Sequence, residues 1–365
     1  MGFKCGILGL SNVGKSTVFN ALTATAAAQA SNYPFSTIEP NVGEVMVPDA
    51  RLDVLAKLAK SAKIKPTRLT FVDIAGLVSG ASKGEGLGNQ FLAHVREVDA
   101  IAHVVRCFDD DDITHVGGKI DPVADIETIE TELMLADLDS LERRVISLEK
   151  LVRGNDKEAK ETLDLVQRAL TLLRDGKPAR LVERKPEEEK LFHALGLLTS
   201  LPVLYVCNVE EAAAATGNEY SRAVQKRAEE EGEAAVVISA KIESEIAVLP
   251  REEREMFLSE IGLKEPGLDR MIRVGYGLLH LVTFFTVGPK ETRAWTVTKG
   301  TRAPQAAGVI HTDFEHGFIR AETIAYDDYV KGGGEAGARD IGKLRLEGKD
   351  YIVADGDVLH FRFAT

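Results

Sequence analysis

Gly9, Gly14, Lys15 and Ser16 stand at the spacing Gly-x4-Gly-Lys-Ser in the run Gly9-Leu10-Ser11-Asn12-Val13-Gly14-Lys15-Ser16. With an apolar strand-like run before it and a helix-like run after it, that spacing is built to hold phosphate oxygens. The backbone N–H groups of Asn12, Val13, Gly14, Lys15, Ser16 and Thr17 form a concave cradle for a polyanion. The helix that begins near Lys15 adds the positive end of its dipole. Gly14 permits close backbone approach. The Lys15 ammonium is expected on the β- and γ-phosphates, and the Ser16 hydroxyl on Mg2+. These residues read as a nucleoside triphosphate site.

Asp73-Ile74-Ala75-Gly76 follows the next strongly apolar run and matches the Asp-x-x-Gly of a nucleotide switch. The Asp73 carboxylate is expected to hold a water on the metal, and the Gly76 N–H to contact the γ-phosphate. Gly80, Gly84, Gly86 and Gly88 make the following segment pliable, which suits a loop that orders around a triphosphate. In Asn32-Tyr33-Pro34-Phe35-Ser36-Thr37-Ile38-Glu39-Pro40, Thr37 is chosen over Ser36 as a further hydroxyl ligand of the metal.

These three stretches, extended through Leu77 to Asn89 in the second, resemble the Obg-related GTPase superfamily and within it the YchF (Obg-like ATPase) family. The resemblance covers essentially the whole chain. It implies a P-loop NTPase domain carrying an inserted helical hairpin, and a C-terminal β-grasp-like TGS domain. It also implies ATP hydrolysis, dependence on Mg2+ and association with ribosomes.

The base is read from Asn208-Val209-Glu210-Glu211, at the end of the apolar run Val203 to Cys207. A guanine-reading motif has Lys where Val209 stands and Asp where Glu211 stands. Val209 is short and uncharged, and Glu211 is one methylene longer. A carboxylate facing adenine N1 would be repelled, so the altered motif disfavours guanine; Glu211 remains a carboxylate, and GTP stays open. The resemblance makes Val209 the adenine-side contact, and Ser239-Ala240-Lys241 resembles the last base-side loop. Leu77 stands where many GTPases carry a water-orienting Gln. The resemblance places that role on His115, in a loop with four consecutive Asp and two Gly; the plain alternative is an exposed histidine without a role. Asn12 resembles the K+ ligand of K+-activated relatives.

The elements that must position these groups follow from periodicity. Phe3 to Leu8, Val42 to Val47, Leu69 to Ile74, Ile101 to Val105, Val203 to Cys207 and Ala234 to Ile238 read as strands between helices, an α/β pattern with a mostly parallel sheet. Met134, Leu138, Leu141, Val145, Leu148 and Val152 recur at helical spacing, as do Leu163, Val166, Leu170 and Leu173 after Gly154-Asn155-Asp156. The spacing predicts a helical hairpin projecting as an arm. From Leu281 onward β-rich runs predominate, with a helix expected near residues 322–331. The domains read as 1–125 with 201–280, the insert 126–200, and 281–365. Trp295 with Arg293, Lys299 and Arg302 reads either as a stacking and phosphate patch or as core.

The chain has 365 residues and a formal charge of −12. Its 44% hydrophobic and 28% charged residues exclude a mostly disordered chain. No stretch approaches the ~18–20 apolar residues that span a bilayer, and the N-terminus lacks a secretory signal pattern. Cys5, Cys107 and Cys207 read as buried free thiols. His311, His316 and His360 fit no metal spacing. Net charge is negative in every segment, from −6 over 201–280 to −1 over 281–365, so nucleic acid contact requires a local patch. The readings converge on a cytoplasmic, non-membrane ATPase switch that binds ATP, Mg2+ and the ribosome with its rRNA, with K+ as a further cation. An Obg-type GTPase and a nucleotide-gated adaptor without catalysis are the alternatives.

Overall fold

The computed structural model describes residues 3–30, 41–74, 87–110 and 119–364. The chain runs through β1 (Lys4–Leu8), α1 (Lys15–Ala30), β2 (Val42–Met46), α2 (Ala50–Ala59), β3 (Ile64–Lys65), β4 (Arg68–Asp73), α3 (Leu87–Val95), β5 (Ala100–Arg106), α4 (Pro122–Arg153), α5 (Lys157–Arg174), α6 (Glu189–His193), β6 (Val203–Asn208), α7 (Glu219–Glu231) and β7 (Ala234–Ile238). It continues through α8 (Ala240–Ala247), α9 (Arg251–Glu260), α10 (Gly267–Leu278), β8 (Leu281–Val287), β9 (Thr292–Thr298), α11 (Ala303–Ile310), α12 (Thr312–His316), β10 (Phe318–Ala325), α13 (Tyr326–Lys331), α14 (Glu335–Asp340), β11 (Arg345–Glu347) and β12 (Asp357–Phe363). Two compact units result, residues 1–45 with 70–271 and residues 46–69 with 272–365.

The first unit is built on a sheet of order β2-β4-β1-β5-β6-β7, in which β4, β1, β5, β6 and β7 pair in parallel. All residues of β5 and β6 are buried, as strands covered on both faces must be. The loop after β1 opens at the carboxyl ends of the strands, where chain connections diverge to either side and ligands of such sheets bind.

Between β5 and β6 the chain leaves the sheet as α4 and α5. Asp121 caps α4 by accepting from Ala124 N at 3.1 Å, and Asp156 caps α5 by accepting from Ala159 N at 3.0 Å. Asn155, at φ 66°, makes the left-handed step of the turn. Met134, Leu141 and Leu148 bury against Leu165, Val166, Ala169, Leu170 and Leu173, with Leu138, Val145 and Val152 half-buried beside them. The helical spacing seen in the sequence is therefore the packing seam of the pair.

Two sets of contacts tie the pair to the turn before β6 and to the connection between α7 and β7. Asp137 is buried and accepts from Leu198 N (2.8 Å), Thr199 N (2.9 Å) and Thr199 Oγ1 (2.7 Å). Arg180 meets Glu130 (2.6 Å), Glu231 (2.9 Å) and Glu233 (2.9 Å), and Tyr205 of β6 donates to Glu231 at 2.8 Å.

The second unit has a mixed sheet of order β11-β10-β12-β8-β9-β3. β8 and β9 form an antiparallel hairpin, and β12 lies parallel to β8. Ala303, Ala306 and Ala307 of α11 bury with Phe284, Val297, Ala321 and Phe361. Leu52 and Leu55 of α2 bury with Phe285, Ala294, Ile324, Tyr329 and Val358. On sequence, residues 46–69 read with the first domain. In the structure they pack into the second unit, because α2 covers this sheet and β3 extends its edge beside β9.

The helix expected near residues 322–331 begins only at Tyr326. Residues 318–325 are β10, held by pairing to β12 and β11 on its two sides, which overrides the helix preference of Ala321 and Glu322. All three cysteines are buried and free.

Candidate nucleotide-binding site

Asn12 at φ 64° and Gly14 at φ 91° bend the chain between β1 and α1. Both are left-handed conformations, which Gly takes without strain and Asn tolerates. A Cβ at Gly14 would run into the Asn208 amide, and one at Gly9 would lie 2.6 Å from the Val104 carbonyl oxygen. Close packing thus demands both glycines of the motif, and backbone freedom demands Gly14 as well.

The loop opens onto a cleft of about 660 Å3. Asn12, Gly14, Lys15, Ser16 and Thr17 line one wall, and Asn208, Val209, Glu211, Ser239 and Lys241 the other. Phe108, Asp109 and Asp110 line it as well. Val13 is buried with its side chain in the core, so its contribution to a ligand is through the backbone. Lys15 forms an ion pair with Asp73 through Nζ and Oδ1, in a largely buried setting. Gly76, Leu77, Thr37 and His115 lie outside the described residues.

Asn208 is 5% exposed and ties the two walls together. Its Nδ2–H donates to the Val13 carbonyl at 2.9 Å, and its Oδ1 accepts from Ala240 N at 2.9 Å. Both amide atoms are engaged by backbone, which makes it a clamp on the phosphate loop. Val209 is buried at the base end, and its N–H is taken by the Ile238 carbonyl at 2.8 Å.

Ser239 is 2% exposed, and its Oγ has no hydrogen-bond partner among the described residues. A buried hydroxyl on a cleft wall costs free energy until a ligand or water satisfies it. Glu211 pairs with Lys241. The Lys241 ammonium holds the Glu211 carboxyl below its usual range, and Glu211 in turn raises Lys241. In the sequence Lys241 stands only as part of the Ser239-Ala240-Lys241 loop; its partner is not legible there, because the two residues lie after different strands.

Arg106 was missed altogether. It is 1% exposed, its guanidinium lies 4.7 Å from the centre of the Phe108 ring, and it donates to the Phe108 and Asp110 carbonyls at 3.2 and 3.3 Å. It thereby fixes the first residues of the stretch that leads to His115. A buried Arg ending an apolar strand was the available signal.

The donor set fits Mg2+. Ser16 offers an exposed hydroxyl on the cleft, and Asp73 a carboxylate beside Lys15. Among the described residues no group of three His, Cys, Asp or Glu gathers as a metal cluster. Mg2+ at phosphate sites takes one or two protein ligands and completes its shell with phosphate and water.

Comparison with known proteins agrees with this geometry. A model of 50S ribosome-binding GTPases matches residues 4–150, and the YchF-GTPase C-terminal model, described as a protein of unknown function (DUF933), matches residues 281–364. The chain is 58% identical over 363 residues to the "Ribosome-binding ATPase YchF" of Haemophilus influenzae, covering 100% of this chain and 99% of that one. It is 55% identical to the protein of the same name from Bacillus subtilis, over the full length of both. The solved structure of the Schizosaccharomyces pombe YchF GTPase superposes with a TM-score of 0.89 at 38% identity, covering 99% of this chain and 98% of that one. With such identity sustained from end to end, and with the phosphate loop, the paired helices and the C-terminal sheet all in place, the chain belongs to the YchF family of P-loop NTPases.

Proposed function

We propose that the protein is a cytoplasmic, Mg2+-dependent ATPase switch that converts ATP to ADP and phosphate and binds the ribosome through contacts that include rRNA. The choice of ATP rests chiefly on one observation, the pairing of Glu211 with Lys241. Guanine is read by a carboxylate free to accept from two N–H groups of the base. Here that carboxylate is a methylene longer and already engaged. The orphan Ser239 hydroxyl can exchange a hydrogen bond with adenine, and the apolar Val209 can pack against the ring. Among the described residues no helix is long and apolar enough to cross a membrane.

Lys15 exchanges Asp73 for the β- and γ-phosphate oxygens when the triphosphate enters. The freed Asp73 carboxylate would then help to hold Mg2+ through water, and Ser16 and Thr37 would offer it hydroxyl ligands. Mg2+, when bound, neutralises charge that builds on the phosphates. In hydrolysis a water oxygen bonds to the γ-phosphorus, the bond from that phosphorus to the β–γ bridging oxygen breaks, ADP leaves with the electron pair, and the proton of the water passes to a phosphate oxygen or to solvent. His115 is assigned to orient that water, and Asn12 to a K+ beside the phosphates.

A GTPase is the second reading, favoured by the name of the Schizosaccharomyces pombe relative and by the family model over residues 4–150. Calorimetric titration of full-length protein with ATP and GTP in Mg2+, with phosphate release measured alongside, separates the two. Tighter binding and faster turnover of ATP are expected; equal or tighter GTP binding overturns the choice of base. Turnover that is undetectable for both would favour an adaptor, and equal rates in KCl and NaCl would remove K+.

A further inference from the structure

Net charge divides between the two units, and the second holds 18 Lys and Arg against 14 Asp and Glu, a net +4. The first unit holds 27 against 43, a net −16. The linear sequence conceals this, because the most basic stretch of the second unit lies far upstream of the rest. Lys57, Lys60, Lys63, Lys65 and Arg68 fall within residues 57–68 with no acidic residue among them.

The fold brings part of this stretch to a second basic segment. β3 pairs in parallel with β9 and sets Lys65 beside Arg293. Ala62 N donates to Pro289 O (2.9 Å), Ser61 Oγ to Gly288 O (2.8 Å), and Thr292 N to Lys63 O (2.9 Å), which seats the Lys63 stretch on the β8–β9 turn carrying Lys290. Lys60, Lys63, Lys65 and Lys290 are exposed. The acidic residue in their midst is Glu291, which Lys65 engages at 2.7 Å. Arg293 lies 3.8 Å from the centre of the Trp295 ring. Trp295 is itself fixed by its Nε1–H bond to Thr286 at 2.9 Å and by stacking on Phe284.

We propose that this sheet edge, Lys60, Lys63, Lys65 and Lys290 with Arg293 on Trp295, is a docking surface for single-stranded RNA. The proposal rests on the ribosome-binding reading above and says where the RNA sits. Lys63 and Lys65 are about 6.6 Å apart along an extended backbone, a step that suits successive phosphates. A guanidinium held flat against an indole offers its other face to a base, and RNA-binding proteins stack bases on aromatic rings and on Arg planes. An acidic protein would use the same charges but has no need of the stacked pair. Lys299 and Arg302, grouped with Trp295 on sequence, follow the opposite end of β9 and are left out.

The test uses full-length protein, purified ribosomes and a fluorescein-labelled 15-nucleotide oligouridylate. The variants are Lys63→Gln/Lys65→Gln/Lys290→Gln and Arg293→Lys, which keeps the charge but not the planar stack. The triple variant should hydrolyse ATP and melt as the parent does, since it touches neither the cleft nor a core. If each lost phosphate contact carries a salt exponent of about 0.7, its RNA affinity falls roughly 50-fold at about 0.15 M salt, and the slope of log K against log salt flattens by about 2. Ribosome co-sedimentation should weaken in step, with oligouridylate competing. Arg293→Lys should lose several-fold with the slope unchanged. If parent and triple variant sediment with ribosomes alike, the surface is wrong and the ribosome reading stands. If the parent binds neither ribosomes nor oligouridylate, both fall. If the triple variant loses the ribosome while oligouridylate neither binds the parent nor competes, the occupant is protein and the RNA assignment is overturned.

Discussion

Replacing Asn208 by Ala should damage stability and nucleotide affinity together. The side chain is 5% exposed and makes two bonds of 2.9 Å, to Val13 O and from Ala240 N. Truncation strands one carbonyl and one N–H, and a stranded buried polar group costs about 1–3 kcal/mol. The expected loss of unfolding free energy is therefore about 2–6 kcal/mol, read from urea denaturation without ligand. The same change releases the phosphate loop from the base-side loop, so ATP affinity measured by calorimetry should fall at least tenfold. Asn208→Asp sharpens the test. It keeps an acceptor for Ala240 N but turns a second oxygen toward the Val13 carbonyl, so it should be destabilised in spite of its near-identical shape. A variant that binds ATP poorly at unchanged stability would show that Asn208 touches the nucleotide directly, and the clamp reasoning would be refuted.

Glu243 accepts from Gly267 N (2.7 Å) and Leu268 N (3.2 Å) at the start of α10, with Asp269 and Arg270 nearby, and burial pushes its carboxyl up to about 7 from an ordinary 4.5. A raised carboxyl favours folding below its unfolded value and loses that contribution as pH rises through 7, so denaturation at pH 5 and pH 8.5 should show the parent losing up to about 3 kcal/mol relative to Glu243→Gln; parallel pH dependence of the two would count against it. Lys241→Gln should free Glu211 and narrow the preference for ATP over GTP several-fold in competitive titration, whereas an unchanged ratio removes Lys241 from base selection. Arg180→Met should cost about 3–5 kcal/mol, because Glu233 loses its buried partner and Glu130 and Glu231 keep only their pairing with Arg227; a melt like the parent's would show that Arg227 and water together satisfy these carboxylates.

What the sequence made legible was local or periodic. The phosphate loop reads directly, because the Gly-x4-Gly-Lys-Ser spacing and the left-handed step at Gly14 lie within one loop, although the contacts with Val104 and Asn208 that also exclude a side chain at Gly9 and Gly14 are distant in sequence. The paired helices read as well: Met134, Leu141 and Leu148 repeat at the interval that puts them on one seam, and the break at Gly154-Asn155-Asp156 is chemically plain. The base-side wall was only half legible. Asn208-Val209-Glu210-Glu211 announced an altered base motif, yet nothing in that tetrapeptide says that Asn208 spends its amide on Val13 and Ala240, or that Glu211 meets Lys241. Those partners lie on other loops, and only the parallel register of β1, β5, β6 and β7 brings them together.

The second unit shows the same limit at larger scale. β3 has two residues, too short for any alternation to announce it, and its pairing partner β9 lies more than two hundred positions later. Leu52 and Leu55 of α2 look on sequence like the buried stripe of a helix that could cover any sheet; the sheet they cover is the one containing Phe285 and Ala294. Charge bookkeeping along the chain inherits the error, since every contiguous segment came out acidic while the folded second unit is net positive. The physical cause is that a field depends on distance in space, with a screening length of about 8–10 Å at ordinary salt, so charges add by proximity and not by order. A long-range edge pairing can therefore assemble a cationic surface on an acidic protein.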